Sequence, residues 1–142
     1  MRSITIANEN HIARHIKRTW IVESEGKVSI LPQAFELTDN DDGYLSANWL
    51  EYFAGSRPDQ LSKIVATTTG RKFSKSSGFA AGNVGKIKSC CEKYGKQVRI
   101  AHEEASDCPS YAVVRRYGNN HQLWLELAEA HWDQLTLVSE LP

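Results

Sequence analysis

Apolar residues recur along this chain in short blocks, and the spacing within each block predicts an element. Ile12 and Ile16 stand four apart, which predicts a short helix inside the polar N-terminal segment. Trp20-Ile21-Val22 reads as a strand, and Gly26 permits a turn into a second one, Val28-Ser29-Ile30-Leu31, which Pro32 ends. Ser46 is read as the cap of a helical turn carrying Trp49, Leu50 and Phe53, closed by Gly55. A helix over 57–67 is signalled more fully. Ser56 is the N-cap, Pro58 lies in the first turn, Asp59 completes a Ser-x-x-Asp pattern, and Leu61, Ile64 and Val65 form the apolar stripe.

Residues 70–78 are small, polar and cationic, the composition of a loop. Ile87, Cys90, Cys91 and Tyr94 have helical spacing and predict a helix over 86–94, stopped by Gly95. Val98–Ala101 and Tyr111–Val114 read as strands. Asn119 and Gln122 form a capping pair for a last helix over 121–133, whose apolar face combines Leu123, Leu127 and Ala130 with Trp124, Ala128 and His131. With no repeat and no linker, residues 1–142 are expected to form a single α+β domain of short strands and three or four short helices.

At 142 residues the chain is long enough to bury a core without disulfides or metals. Its apolar runs are too short to span a membrane, and its first ten residues lack the apolar stretch of a secretory signal. Three cysteines, two of them adjacent at Cys90-Cys91, do not make a disulfide framework. A cytoplasmic protein with reduced, mostly buried thiols and no metal or other cofactor is expected.

Charge alters that plain picture. The 17 Lys+Arg and 17 Asp+Glu cancel over the whole chain but are sorted along it. Residues 57–99 carry ten basic side chains against Asp59 and Glu92, while both flanks are acidic. A cationic middle of this kind either attracts an anion or is neutralised by the rest of its own fold. Arg71, Lys72, Lys75, Lys86 and Lys88 are the candidate anion-binding residues.

Other patterns fail on spacing. Gly78, Gly82 and Gly85 before Lys86 suggest a phosphate loop, yet Ala80 stands where its first glycine belongs and Ile87 where a Ser or Thr belongs. These glycines read instead as a mobile loop and bend, with backbone amides that still offer an anion contact over 70–88. Asp39 to Gly43 is an acidic turn; as a calcium loop it would need an acid where Leu50 stands. Cys90, Cys91, Cys108 and His102 lack the Cys-x-x-Cys spacing of a zinc knuckle. The aromatic residues read as core rather than as a stacking platform. His102, next to Glu103, Glu104 and Asp107, is the best catalytic candidate, with Arg115 as its anion partner. Strand alternation places His102 with Val98 and Ile100 and turns Arg99 away.

Trp20-Ile21-Val22, Gln33-Ala34-Phe35, Leu45-Ser46 with Trp49, and Pro109-Ser110-Tyr111-Ala112 occur in an order that resembles a group of small bacterial proteins with no assigned reaction. The likeness spans roughly residues 15–117, and Tyr111 stands where that group usually has histidine. It implies a bacterial, cytoplasmic, single-domain protein. The expectation is therefore an interaction or regulatory protein whose cationic segment contacts an acidic protein surface or a second copy of itself. A nucleic-acid or nucleotide binder using residues 70–88 is the second reading, although a neutral protein is not built for nonspecific DNA binding. An enzyme acting on a phosphate-containing substrate is the third.

Overall fold

The capping signals at Ser56, Asn83 and Asn120 each start a helix, and these helices pack against a sheet that most of the remaining chain builds. The computed structural model describes residues 3–37 and 43–142, so the acidic turn at Asp39–Asp42 lies outside the described residues. Among them are nine strands: β1 (Ile4–Thr5), β2 (His11–Ile16), β3 (Ile21–Ser24), β4 (Lys27–Ile30), β5 (Tyr44–Trp49), β6 (Gly78–Asn83), β7 (Arg99–His102), β8 (Tyr111–Arg115) and β9 (Gln134–Leu137). The helices are α1 (Arg57–Thr67), α2 (Val84–Lys93) and α3 (His121–Glu126), the last continued by a π-helical turn, Leu127–His131. The architecture is α+β.

Seven strands form one antiparallel sheet in the order β1-β7-β8-β5-β2-β6-β9, and β3 with β4 forms a separate hairpin. The hairpin turns through Glu25 and Gly26, at φ 53° and 77°, the pair of left-handed residues that a two-residue hairpin loop requires. Within the sheet β2 pairs with β6 along its whole length but with β5 only at Ile12–Trp49 and Ala13–Asn48. Beyond that point the two strands part.

One face of the sheet is closed. Ile12, Ile16, Leu45, Ala80, Ile100 and Val114 meet Ile87, Cys91, Leu123, Leu127 and Trp132 from α2, α3 and the π turn in the main core. The other face is covered only in part, where Leu61 and Ile64 of α1 seat on Ala13, Phe79 and Ala81. The uncovered remainder is where a site can form.

Four expectations are corrected. Ile12 and Ile16 lie on the strand β2, since a spacing of four also keeps two residues on one face of a strand. Ser46 and Trp49 belong to β5, with only a short 3-10 turn, Leu50–Tyr52, after it. Gly78 and Gly82 lie in β6, a strand buried along almost its whole length, rather than in a mobile loop. A Cβ on Gly82 would come within 2.5 Å of the His131 carbonyl oxygen and 3.0 Å of the Trp132 Cα, so the glycine lets the π turn lie directly on the strand. Finally, Asn120 rather than Asn119 caps α3, accepting from the Leu123 amide, while Asn119 bonds both backbone groups of Leu37.

Candidate functional site

The parting of β2 from β5 leaves backbone groups to satisfy, and Arg14 reaches across. Its Nη1 donates to the Ser46 carbonyl at 2.7 Å and its Nε to the Ala34 carbonyl at 2.7 Å. Over this gap lies a cleft of about 680 Å³ whose lining includes His15 and Lys17 of the β2 segment, Ser46 and Asn48 of β5 and Tyr111 of β8. Its walls are the segments around Thr68–Phe73 and Ala105–Cys108, tied together by the Thr69 amide donating to the Asp107 carbonyl at 2.8 Å. Asn48 sits at the floor, where its Oδ1 accepts from Cys108 Sγ at 3.1 Å and from Ser110 Oγ at 2.9 Å.

The electrostatics of the cleft follow from one histidine. Ser77 Oγ donates to the Ser74 carbonyl at 2.6 Å, so toward His15 Nε2, at 2.9 Å, it acts as acceptor. Nε2 therefore carries the ring proton, and Nδ1 accepts from Arg71 Nη2 at 2.8 Å. Burial, and then the charges of Arg71, Arg14 and Lys17, push the imidazole down to about 4. His15 is thus neutral at pH 7 and bonded to Arg71 without cancelling its charge. The Arg71 guanidinium also lies 5.0 Å from the Phe73 ring, as Lys17 Nζ does from Trp20. No salt bridge among the described residues involves Arg71 or Lys17. Both cations are left available to an incoming anion, with Glu36 and Asp107 the acids of the described lining.

Of the five candidate anion-binding residues, only Arg71 lines this cleft. Lys72 and Lys75 are exposed on the same loop, Lys75 beside a separate hollow that contains Arg18. Lys86 and Lys88 ride on α2 on the opposite side of the sheet, where Lys88 Nζ donates to Asn8 Oδ1 at 3.3 Å. The amides that open α2 are taken: Val84 donates to Asn10, Gly85 to Asn8, and Lys86 to the Asn83 side chain. The backbone there offers no cradle for a phosphate, which corrects that part of the 70–88 expectation.

The His102 pair does not assemble. His102 is buried as alternation requires, with Nε2 donating to the Pro109 carbonyl at 2.8 Å and its ring 5.2 Å from both Trp49 and Tyr52. His102 stands opposite Ala112 and Arg115 opposite Arg99, so three residues of β8 put Arg115 on the other face. Arg115 instead grips Glu103, Nε to Oε2 at 2.9 Å and Nη2 to Oε1 at 2.6 Å, which holds the Glu103 carboxyl below its ordinary range. Arg99 is spent on Ser3 and Thr5.

All three cysteines are buried and unpaired. Cys108 lies at the cleft floor, whereas Cys90 and Cys91 are on α2 across the sheet, so the four-residue cluster with His102 does not form. Burial pushes the Cys90 thiol up to about 11 and Cys91 to about 12. The cleft residues His15, Lys17 and Asn48 went unnoticed in the sequence, where β2 reads as helix, and Ser46 reads only as a helix cap and as part of a motif. Trp20, Ser46 and Tyr111, from three of the four recurring motif stretches, line the same cleft. No family model, curated protein or solved structure matches this chain.

Proposed function

We propose that this chain works by binding, and that the cleft between β2 and β5 receives an anionic group presented by an acidic partner surface. The observation that carries the reading is the His15–Arg71 bond. It fixes a guanidinium at the cleft wall through a neutral imidazole, so position is gained without neutralising the charge. Lys17 supplies the second cation, and Asn48, Ser46 and Tyr111 supply polar groups at the floor. The cationic middle of the sequence thus contributes mainly through Arg71, while Lys72 and Lys75 add to the field around it. The bacterial origin and cytoplasmic setting implied by the sequence likeness accord with this role.

A second reading is a nucleotide ligand, supported by the two cation–aromatic pairs at the cleft, Lys17 on Trp20 and Arg71 on Phe73. The cleft volume falls within the range of small-molecule sites. Titrating the protein with a polyglutamate peptide and, separately, with a nucleoside triphosphate while following tryptophan fluorescence tests both. Saturable binding of the peptide, weakened at least about tenfold by Arg71→Ala or Lys17→Ala and falling with salt, supports the first reading. Selective binding of the triphosphate with the same sensitivity supports the second. Binding that both substitutions leave unchanged overturns the assignment of the cleft.

A further inference from the structure

The π turn after α3 brings together three side chains that neither the sequence nor the cleft above predicts. In an α-helix, residues five apart point about 140° away from each other. A π turn, with bonds from residue i to i+5, brings them back to the same side. The Trp132 amide bonds the Leu127 carbonyl at 2.8 Å, the bond that defines such a turn, and His131 accordingly returns to the side of Glu126. Glu126 Oε2 then lies 4.0 Å from His131 Nε2 and 3.7 Å from Cys90 Sγ, which α2 presents from the facing helix. The donor atoms of all three residues fall within 4.8 Å of one another.

We propose that Cys90, Glu126 and His131 form a metal site of the zinc class. Tetrahedral coordination at about 2.0–2.3 Å sets ligand atoms roughly 3.4–3.6 Å apart, so the Glu126 contacts need to close by about 0.1–0.6 Å and the Cys90–His131 separation by no more than about 1.4 Å. A thiolate, an imidazole and a carboxylate are the donors that select Zn²⁺ and its neighbours over Mg²⁺ or Ca²⁺. The carboxylate is already oriented: Lys93 Nζ, at 2.7 Å, and the Tyr94 hydroxyl both donate to Oε1, which leaves Oε2 turned toward Cys90 and His131. Three protein ligands leave a fourth position, and the group borders a hollow of about 720 Å³ lined by Asn8, Glu9, Lys86 and Ser89, a route for water or substrate to reach it. On binding, the metal forms a bond to Cys90 sulfur and the thiol proton passes to solvent.

This site lies across the sheet from the anion cleft and stands or falls independently of it. The test uses Co²⁺ as a spectroscopic substitute for Zn²⁺, added to protein stripped with a chelator. One equivalent is expected to give the visible bands of tetrahedral cobalt together with a thiolate-to-cobalt charge-transfer band, and Zn²⁺ should displace it. Cys90→Ser should abolish the charge-transfer band, and His131→Gln should weaken binding at least about 100-fold. Cys108→Ser, which removes a thiol on the other face, should leave the spectrum unchanged. His131→Gln changes a half-buried side chain, and circular dichroism confirms that the variant is folded. Absence of the thiolate band in the unsubstituted protein, or a band that survives Cys90→Ser or follows Cys108 instead, overturns the proposal.

Discussion

On the open face of the sheet, His15 is neutral, Arg71 leans on it, and among the described residues the guanidinium makes no salt bridge. Across the sheet, Glu126 gathers Lys93, Tyr94 and Cys90 around one carboxylate, and Lys93 is answered by a full negative charge. Both cations come from the basic middle of the chain, yet the fold treats them differently. Glu126 of the acidic C-terminal segment is brought onto α2 by α3, so its charge is spent on Lys93, whereas Asp107 lines the cleft beside the loop after α1 without a salt bridge to Arg71. Sorting of charge along a sequence therefore says which residues are cationic, and packing decides which stay so.

The two faces should also differ in what they contribute to stability. Trp132 is fully buried under the closed face and its Nε1 donates to the Ala80 carbonyl at 3.0 Å. Trp132→Ala should cost about 3–5 kcal/mol in a urea titration, the largest loss anticipated, whereas Arg71→Ala on the open face should cost less than about 0.5 kcal/mol. A comparable loss from Arg71→Ala would mean that the open face is structural after all. Gly82→Ala comes next, at about 1–3 kcal/mol, because the new methyl meets the backbone of His131 and Trp132. It should disturb the Cys90 side and leave anion binding in the cleft intact.

Acid sharpens the contrast further. His15 titrates near 4 in the fold and near 6.5 once unfolded, so between those values the unfolded chain holds the extra proton. Stability that is fully present above pH 6.5 should drain as pH falls toward 4. After allowance for the partial exposure of the ring, the loss should be on the order of 1–2 kcal/mol. His15→Gln should flatten the urea midpoint across that range; an unchanged slope would place the titration elsewhere. The smaller of the two pH effects concerns Glu103. Its pairing with Arg115 should be worth about 0.5–1 kcal/mol at pH 7 and should be lost below the ordinary carboxylate range, and Glu103→Gln in the same titration reads it.

The elements that announced themselves in the sequence are those with local chemistry. Ser56, Pro58 and Asp59 mark α1 because a capping box is written in four residues. Tyr111–Val114 stands out because a proline and a β-branched pair frame it. The strand β2 is ambiguous since Ile12 and Ile16 satisfy both periods, and β6 shows no alternation because both of its faces are buried. Gly82 answers to the approach of a distant turn and Gly78 to the approach of β9, neither to a local need. The cleft depends on β2 and β5 diverging, and the Cys90 group depends on a single extra residue in a helical turn. Neither leaves a periodic trace, so His15 and Glu126 carry no signal in the sequence.

The two-pair junction between β2 and β5 has a mechanical consequence. Every other neighbouring pair inside the sheet, from β7 to β9, is stitched by four to six residue pairs, but here the stitching is two pairs and one guanidinium. A sheet deforms most easily where it has fewest cross-strand bonds, so any motion of β1-β7-β8-β5 against β2-β6-β9 is expected to concentrate at this junction, with Ala13 and Asn48 at the crease. Amide exchange should be fastest, within the sheet interior, along that crease. The width of the cleft is then the softest coordinate of an otherwise stiff molecule, and under the proposed binding role the two plates are the jaws that an anion would draw together.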